Sequence, residues 1–244
     1  MDLSLLIHTC DNYFRYWPGM LFSLDFNWDY SKIPVYWASE ELRIHEQDFQ
    51  SRGLKYTPNR EIRQILTGKT DRNGFSTRMR TALESVNTKW VIYLQEDMWL
   101  LSSPSYELLS HLVLFAELKQ ADSVKIHTKL HYYDSYILEP TNYEIHGIKL
   151  LKYSQGQNYL HSHNATIWNR EYLLQNLEDG EDPWTNEIEG SKRMSCKPNN
   201  HFHYNIHWYS QPGVCEMGED SRDFFTLAPI LDDRMHLKLS FERK

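Results

Sequence analysis

The sequence predicts an α/β fold: a single α/β/α domain built on a mainly parallel, mixed sheet. Three observations carry the prediction. Short apolar runs, LSLLIHT (residues 3–9), IPVYWAS (33–39) and WVIYL (90–94), have the length of buried strands. Segments with helical spacing lie between them, and this alternation means βαβ units. The first and third runs end in turn-forming or acidic residues: CDN after the first and QED after the third.

Taken in order, the first strand starts almost at residue one. YFRYWPGMLFSLDF (13–26) follows as a helix begun near Asp11 or Asn12, with Pro18 expected to bend or split it. After the second strand, ELRIHEQDFQSRG (41–53) reads as a helix ended by Gly53, and KYTPN (55–59) as a short third strand and turn. GFSTRMRTALESVN (74–87) has Met79, Ala82, Leu83 and Val86 on one helical face, with Ser76 as a candidate cap. SYELLSHLVLFAELKQA (105–121) is a helix, SVKIHTK (123–129) a strand, YLHSHNATIW (159–168) another, and NREYLLQNL (169–177) a helix. DGEDPWTNEIEGSKRM (179–194) starts as a turn and becomes helical. HFHYNIHWY (201–209) alternates: His201, His203, Asn205 and His207 share one face, and Phe202, Tyr204, Ile206 and Trp208 the other.

At 244 residues the chain fits one domain, read as 1–100 for a donor-binding half and 101–244 for an acceptor-binding half. The net charge of −7 excludes a general basic footprint for nucleic acid. Cys10, Cys196 and Cys215 are widely spaced and odd in number, which argues against a disulfide framework and for a reducing, cytoplasmic setting. No apolar run is long enough for a transmembrane helix, and Met1–Asp2 lacks the basic start of a signal peptide.

Chemistry concentrates where strands end. In an open parallel sheet, ligands bind beyond the carboxyl ends of the strands. Asp11 follows the first strand there, and Glu96 and Asp97 follow the third of the apolar runs. Acids suit an anionic ligand only if a cation stands between them, and carboxylate oxygens select hard ions such as Mg²⁺ or Mn²⁺. An ordinary polar turn is the other reading of the pair, and both stay open at this level.

Three segments resemble glycosyltransferases of the GT-A type, which use nucleotide-sugar donors. LLIHTCDNY (5–13) is similar to the strand and loop that hold the nucleoside. NGFSTRMRTALESVNTKWVIYLQEDMW (73–99) is similar to the helix–strand unit leading into the DxD motif, and DPWTNEIEGSKR (182–193) resembles the segment that supplies a catalytic base in inverting members. The resemblance implies a GT-A-like, Rossmann-like domain that moves a sugar from a UDP- or GDP-linked donor to a glycan hydroxyl. It also implies Mn²⁺ or Mg²⁺ as cofactor. Asp97 takes the place of the last Asp of DxD, the usual metal ligand. Gln95 replaces the first, a departure that leaves room for weak metal dependence, and Glu96 fills the middle position. Thr9 and Asp11 are then nucleoside-binding candidates. Ser76, Arg78 and Arg80 are donor-facing, with an arginine on the diphosphate. Glu187 is the expected base, with Glu189 and Asp182 behind it. Trp184 is a sugar platform, His161 and His163 are acceptor-facing, and His207 is a further metal ligand.

Two rivals remain. A nucleotidyltransferase shares the sheet and an acidic metal site, but HTCDNYFRYW (8–17) lacks the Gly-rich basic loop expected after its first strand. A catalytically inactive glycan-binding module is favoured by Gln95 and by the 34 aromatic residues.

Overall fold

A computed structural model describes residues 1–28, 32–44, 61–128 and 137–210, with two short strands at 215–216 and 219–220. Strands β1 (Leu3–His8), β2 (Val35–Ser39), β3 (Arg63–Leu66) and β4 (Trp90–Gln95) form the parallel half of a nine-stranded sheet. β1 is central: it pairs with β2 on one side and β4 on the other, with Leu5 opposite Val35 and Ile92. All six residues of β1 are buried, as expected of a strand covered on both faces. Its side chains divide by parity. Leu3, Leu5 and Ile7 enter one core with Trp17, Met20 and Leu24; Leu6 enters the other with Phe75, Met79 and Leu83.

The first core is closed by α1 (Trp17–Asn27) and α3 (Tyr106–Leu118), the second by α2 (Phe75–Glu84), α4 (Arg170–Leu174) and α5 (Pro183–Ser195). This is the expected α/β/α layering. Pro18 does not split a helix. A 3₁₀ segment runs from Asp11 to Tyr16, and Pro18 sits in the first turn of α1, where a missing N–H is tolerated. The helices α3, α4 and α5 start on side-chain caps from Ser105, Asn169 and Asp182.

Beyond β4 the sheet turns mostly antiparallel. The order continues through β8 (Thr166–Asn169), β5 (Ser123–Ile126), β9 (His201–Tyr204), β7 (Ile148–Tyr153) and β6 (Leu138–Ile145). Only β5 and β9 are parallel here.

Several expectations are corrected. The alternating segment 201–209 contracts to β9, which lies between β5 and β7 with His201, Phe202, His203 and Tyr204 all buried, while Asn205 and His207 beyond it are exposed. The strand expected over 159–168 contracts to Thr166–Asn169. The β6–β7 hairpin was unread. Its two-residue turn, His146 and Gly147 with φ 49° and 78°, lacks the Asn-Gly or Asp-Gly signal, and Pro140 interrupts the alternation. Strand β3 also escaped detection, because RQIL is only half apolar. The helix read at 41–53 falls mostly, and the strand at 55–59 wholly, outside the described residues.

Candidate active site

A cleft of about 530 Å³ opens at the carboxyl ends of β1, β2 and β4. Its floor is His8, which ends β1, with Thr9 and Cys10 after it, Glu40 after β2, and Gln95, which ends β4, with Glu96 and Asp97 after it. Arg78 and Phe75 of α2 line its sides together with His163 and with Trp184 and Glu187 of α5.

The turn after β4 is anchored from outside. Met98 N–H donates to the Gln95 carbonyl at 3.2 Å, and Ser210 Oγ donates to the Asp97 carbonyl at 3.1 Å. The turn holds Glu96 and Asp97 in the cleft. Glu96 is buried, and Asp97 is half-buried with its Oδ1 sealed from solvent and lacking a hydrogen-bond partner. Burial raises both carboxyl pKa values, and the charge of Asp97 raises that of Glu96 further. The pair therefore resists double ionisation.

Tyr93 reports how the acids converge. Burial first, then the charges of Glu96, Glu187 and Asp97, hold its hydroxyl proton well above the ordinary range. Glu187, from the second turn of α5, thus faces the same region as the β4 acids. Its Oε1 accepts from the His163 N–H at 2.6 Å. The His163 ring is wedged against Phe75 and Tyr93, with centroids at 4.8 and 5.8 Å. Trp184 is half-exposed and lies under the Arg72 guanidinium, 4.4 Å from the ring centroid.

Arg78 is buried and paired. Its NH1 lies 3.3 Å from Glu40 Oε1 and also bonds Thr70 Oγ1 and the Asp71 carbonyl. His8 is held neutral: burial first, then the Arg78 charge, lowers its pKa to about 3. The Cys10 thiol is pushed up to about 12 by burial and by Glu96 and Glu40.

Of the sequence candidates, Thr9, Arg78, Gln95, Glu96, Asp97, His163, Trp184 and Glu187 line this cleft. The others do not. Asp11 turns its carboxylate onto the Glu41 and Leu42 amides, so it stitches the β1 and β2 loops together instead of presenting itself to a ligand or capping a helix. Ser76 is fully buried and accepts from the Glu181 N–H at 3.0 Å. Arg80 points to Asp179 and to the Leu174 and Leu177 carbonyls. Asp182 is the α5 cap, accepting from the Trp184 and Thr185 amides at 2.9 Å. Glu189 pairs with Lys192 at 2.6 Å on the outer face of α5. His161 is fully buried behind Gly190, and His207 is exposed past the end of β9. Sequence reasoning missed His8, Glu40 and Arg72. Glu40 stands one residue past β2, so the same rule that selected the β4 acids, applied to the second strand, finds it.

The chemistry of the site fits the cation implied by the resemblance. The orphaned Asp97 Oδ1 and the neighbouring Glu96 carboxylate are hard oxygen donors whose mutual repulsion a divalent ion would relieve. His207 is not among the cleft residues and does not belong to the donor set.

No protein-family model and no curated protein sequence matches the chain. Solved structures do. The S. aureus TarS fragment 1–349 in complex with UDP-GlcNAc aligns with TM-score 0.53 and 15% identity over 99% of this chain and 68% of that one. The chain spans 41% of the longer TarS structure. A CMP:2-keto-3-deoxy-manno-octonic acid synthetase complexed with CTP aligns with TM-score 0.54 and 14% identity, over 96% of this chain and 99% of that one. A UDP-glucose pyrophosphorylase from Acinetobacter baumannii aligns with TM-score 0.50 and 9% identity, over 85% and 87%. At these identities the likeness is one of architecture, and with the acid-rimmed cleft at the ends of β1, β2 and β4 it gives this chain the GT-A-like α/β fold that glycosyltransferases and nucleotidyltransferases share.

Proposed function

We propose that the protein is a glycosyltransferase that moves a sugar from a UDP- or GDP-linked donor to a hydroxyl of a glycan, with inversion and with Mn²⁺ or Mg²⁺. One observation carries the reading. A buried, unpartnered carboxylate oxygen of Asp97 in the floor and Glu187 in a wall line one and the same cleft.

In this reading the donor lies over the β1, β2 and β4 ends, within the 1–100 half. Thr9 bounds the nucleoside side, and Arg78 supplies positive charge near the diphosphate. Asp97 with Glu96 would hold the cation, which when bound offsets charge on the departing diphosphate. The acceptor enters from the 101–244 half, against Trp184 and His163. Glu187 takes the proton of the acceptor hydroxyl as that oxygen bonds the anomeric carbon, and the bond from that carbon to the diphosphate oxygen breaks with its electron pair. The His163 amide orients Glu187 for this step. Orientation and charge stabilisation supply the acceleration. The free thiols Cys10 and Cys196 agree with a cytoplasmic setting, and no helix among the described residues is long and apolar enough to cross a membrane.

The test is turnover of a panel of UDP- and GDP-sugars with Mn²⁺. Release of nucleoside diphosphate is expected with at least one of them; absence of both turnover and donor binding removes the proposal. A nucleotidyltransferase is kept as the second reading because the CTP-complexed synthetase is matched over nearly its whole length. That reaction would release pyrophosphate from a nucleoside triphosphate. A glycan binder without catalysis would ignore the nucleotide in calorimetry.

A further inference from the structure

Outside the cleft, a second group of metal-ligating side chains comes together. Glu107 and His111 are four residues apart on α3, so they share one helix face. His146 projects from the two-residue turn of the β6–β7 hairpin. The three residues are exposed, and one ligand atom from each lies within 4.8 Å of the others. His111 Nδ1 and His146 Nε2 are 2.9 Å apart. Their rings meet edge-on, at 70° and 5.1 Å between centroids, so nitrogen faces nitrogen.

We propose that Glu107, His111 and His146 form a site for a borderline divalent transition ion of the Zn²⁺ class, which clips the β6–β7 hairpin to α3. Two imidazoles and one carboxylate are a donor set for such ions, with water in the fourth position. Hard ions such as Mg²⁺ do not select imidazole nitrogen, so the site is chemically separate from the one at Asp97. The geometry is close to ready. Tetrahedral binding at about 2.0–2.1 Å from each nitrogen sets them about 3.3 Å apart, a few tenths of an ångström wider than here. Exposed side chains absorb that by small rotations. The contact already has a docked surface beside it: Phe115 of α3 meets Tyr143 of β6 edge-on at 5.4 Å, and Lys119 lies 4.0 Å from the centre of the Tyr143 ring. A bound ion would lock the hairpin's tip where these contacts hold its body. This inference does not depend on the proposed activity.

The experiment titrates the full chain with Zn²⁺ alone, in excess Mg²⁺ to occupy the hard-ion site. One tight equivalent is expected, and Co²⁺ in its place should give the visible absorption of a tetrahedral site. H111A and H146A should each weaken Zn²⁺ binding about tenfold or more, whereas D97N should leave it unchanged. Hydrogen exchange of residues 138–153 should slow about tenfold with Zn²⁺ in the parent chain and not in H111A/H146A. Because all three residues are exposed, the variants should melt like the parent without metal. Zn²⁺ binding that survives the double variant, absence of binding at millimolar Zn²⁺, or unchanged exchange in the hairpin would overturn the proposal, leaving the two imidazoles simply hydrogen-bonded.

Discussion

Asp97 and Glu96 sit in the cleft against their own electrostatic preference. Burial and proximity raise both pKa values. A raised carboxyl contributes stability at low pH and loses it as pH rises through the folded value. In chelator at pH 8, Asp97→Asn should therefore raise stability by on the order of 1 kcal/mol, and the gain should vanish below the ordinary carboxylate range. The same variant should cut transfer about a hundredfold or more, the loss of a charge-stabilising site. Thermal melts and transfer rates check both; full residual transfer would make the pair a structural turn. Glu187→Gln should lower kcat by about 10²–10⁴ with little change in the donor's KM. A rise in donor KM at unchanged kcat would assign Glu187 to binding. Asp97 and Glu187 were readable as residues because acids after a strand and acids in a short helix are visible in order. Asp11, Ser76 and Asp182 were equally visible, and backbone amides took them instead. Which carboxylate or hydroxyl is spent on a neighbouring amide is a matter of three-dimensional proximity.

At the scale of elements, α5 is the component that converts a sheet edge into a two-walled site. Asp182 fixes its start and Ser191 ties it to the 161–163 segment, accepting from His161 N–H at 3.1 Å. Gly190 permits this close packing: a Cβ there would fall inside van der Waals contact of His161 Nδ1. Gly190→Ala should destabilise the protein by about 1–3 kcal/mol through overpacking. It should also lower kcat, because His163 N–H, two residues on, holds Glu187. Denaturant unfolding and steady-state rates measure the two effects, and a stable, fully active variant would show that α5 has room to shift. The helical period of α2 and α3 was plain in sequence because one face of each is buried. β9 was less plain, since its alternation of His with aromatics does not show whether either face is covered when neighbouring strands are unknown. Only the sheet order reveals that both its faces are covered.

For the whole molecule, buried neutral histidines set the response to acid. Burial lowers the pKa of His8 to about 3, of His127 to about 4 and of His201 to about 3, and it lowers those of His161 and His163 as well. A lowered histidine contributes stability above its unfolded pKa of 6.5, and that contribution is lost as pH falls toward the folded value. Glu96, Asp97 and Asp122, all raised by burial, act in the opposite sense, but five histidines face three carboxyls. The unfolded chain therefore takes up more protons than the folded one between about pH 6.5 and 4.5. The melting temperature should drop steeply across that interval, and a flat profile would mean that these imidazoles are already protonated or solvated in the fold.

By itself the sequence determined the α/β alternation, the buried parallel strands and the presence of acids at the end of β4, because hydrophobic period and strand-end position are local properties written in residue order. It did not determine the strand order beyond β4, the β6–β7 hairpin, the Glu40–Arg78 pair or the meeting of Asp97 with Glu187 in one cleft. Those depend on contacts between residues dozens of positions apart, and only the packed sheet and the helices laid on it decide which of many polar side chains are left facing a ligand.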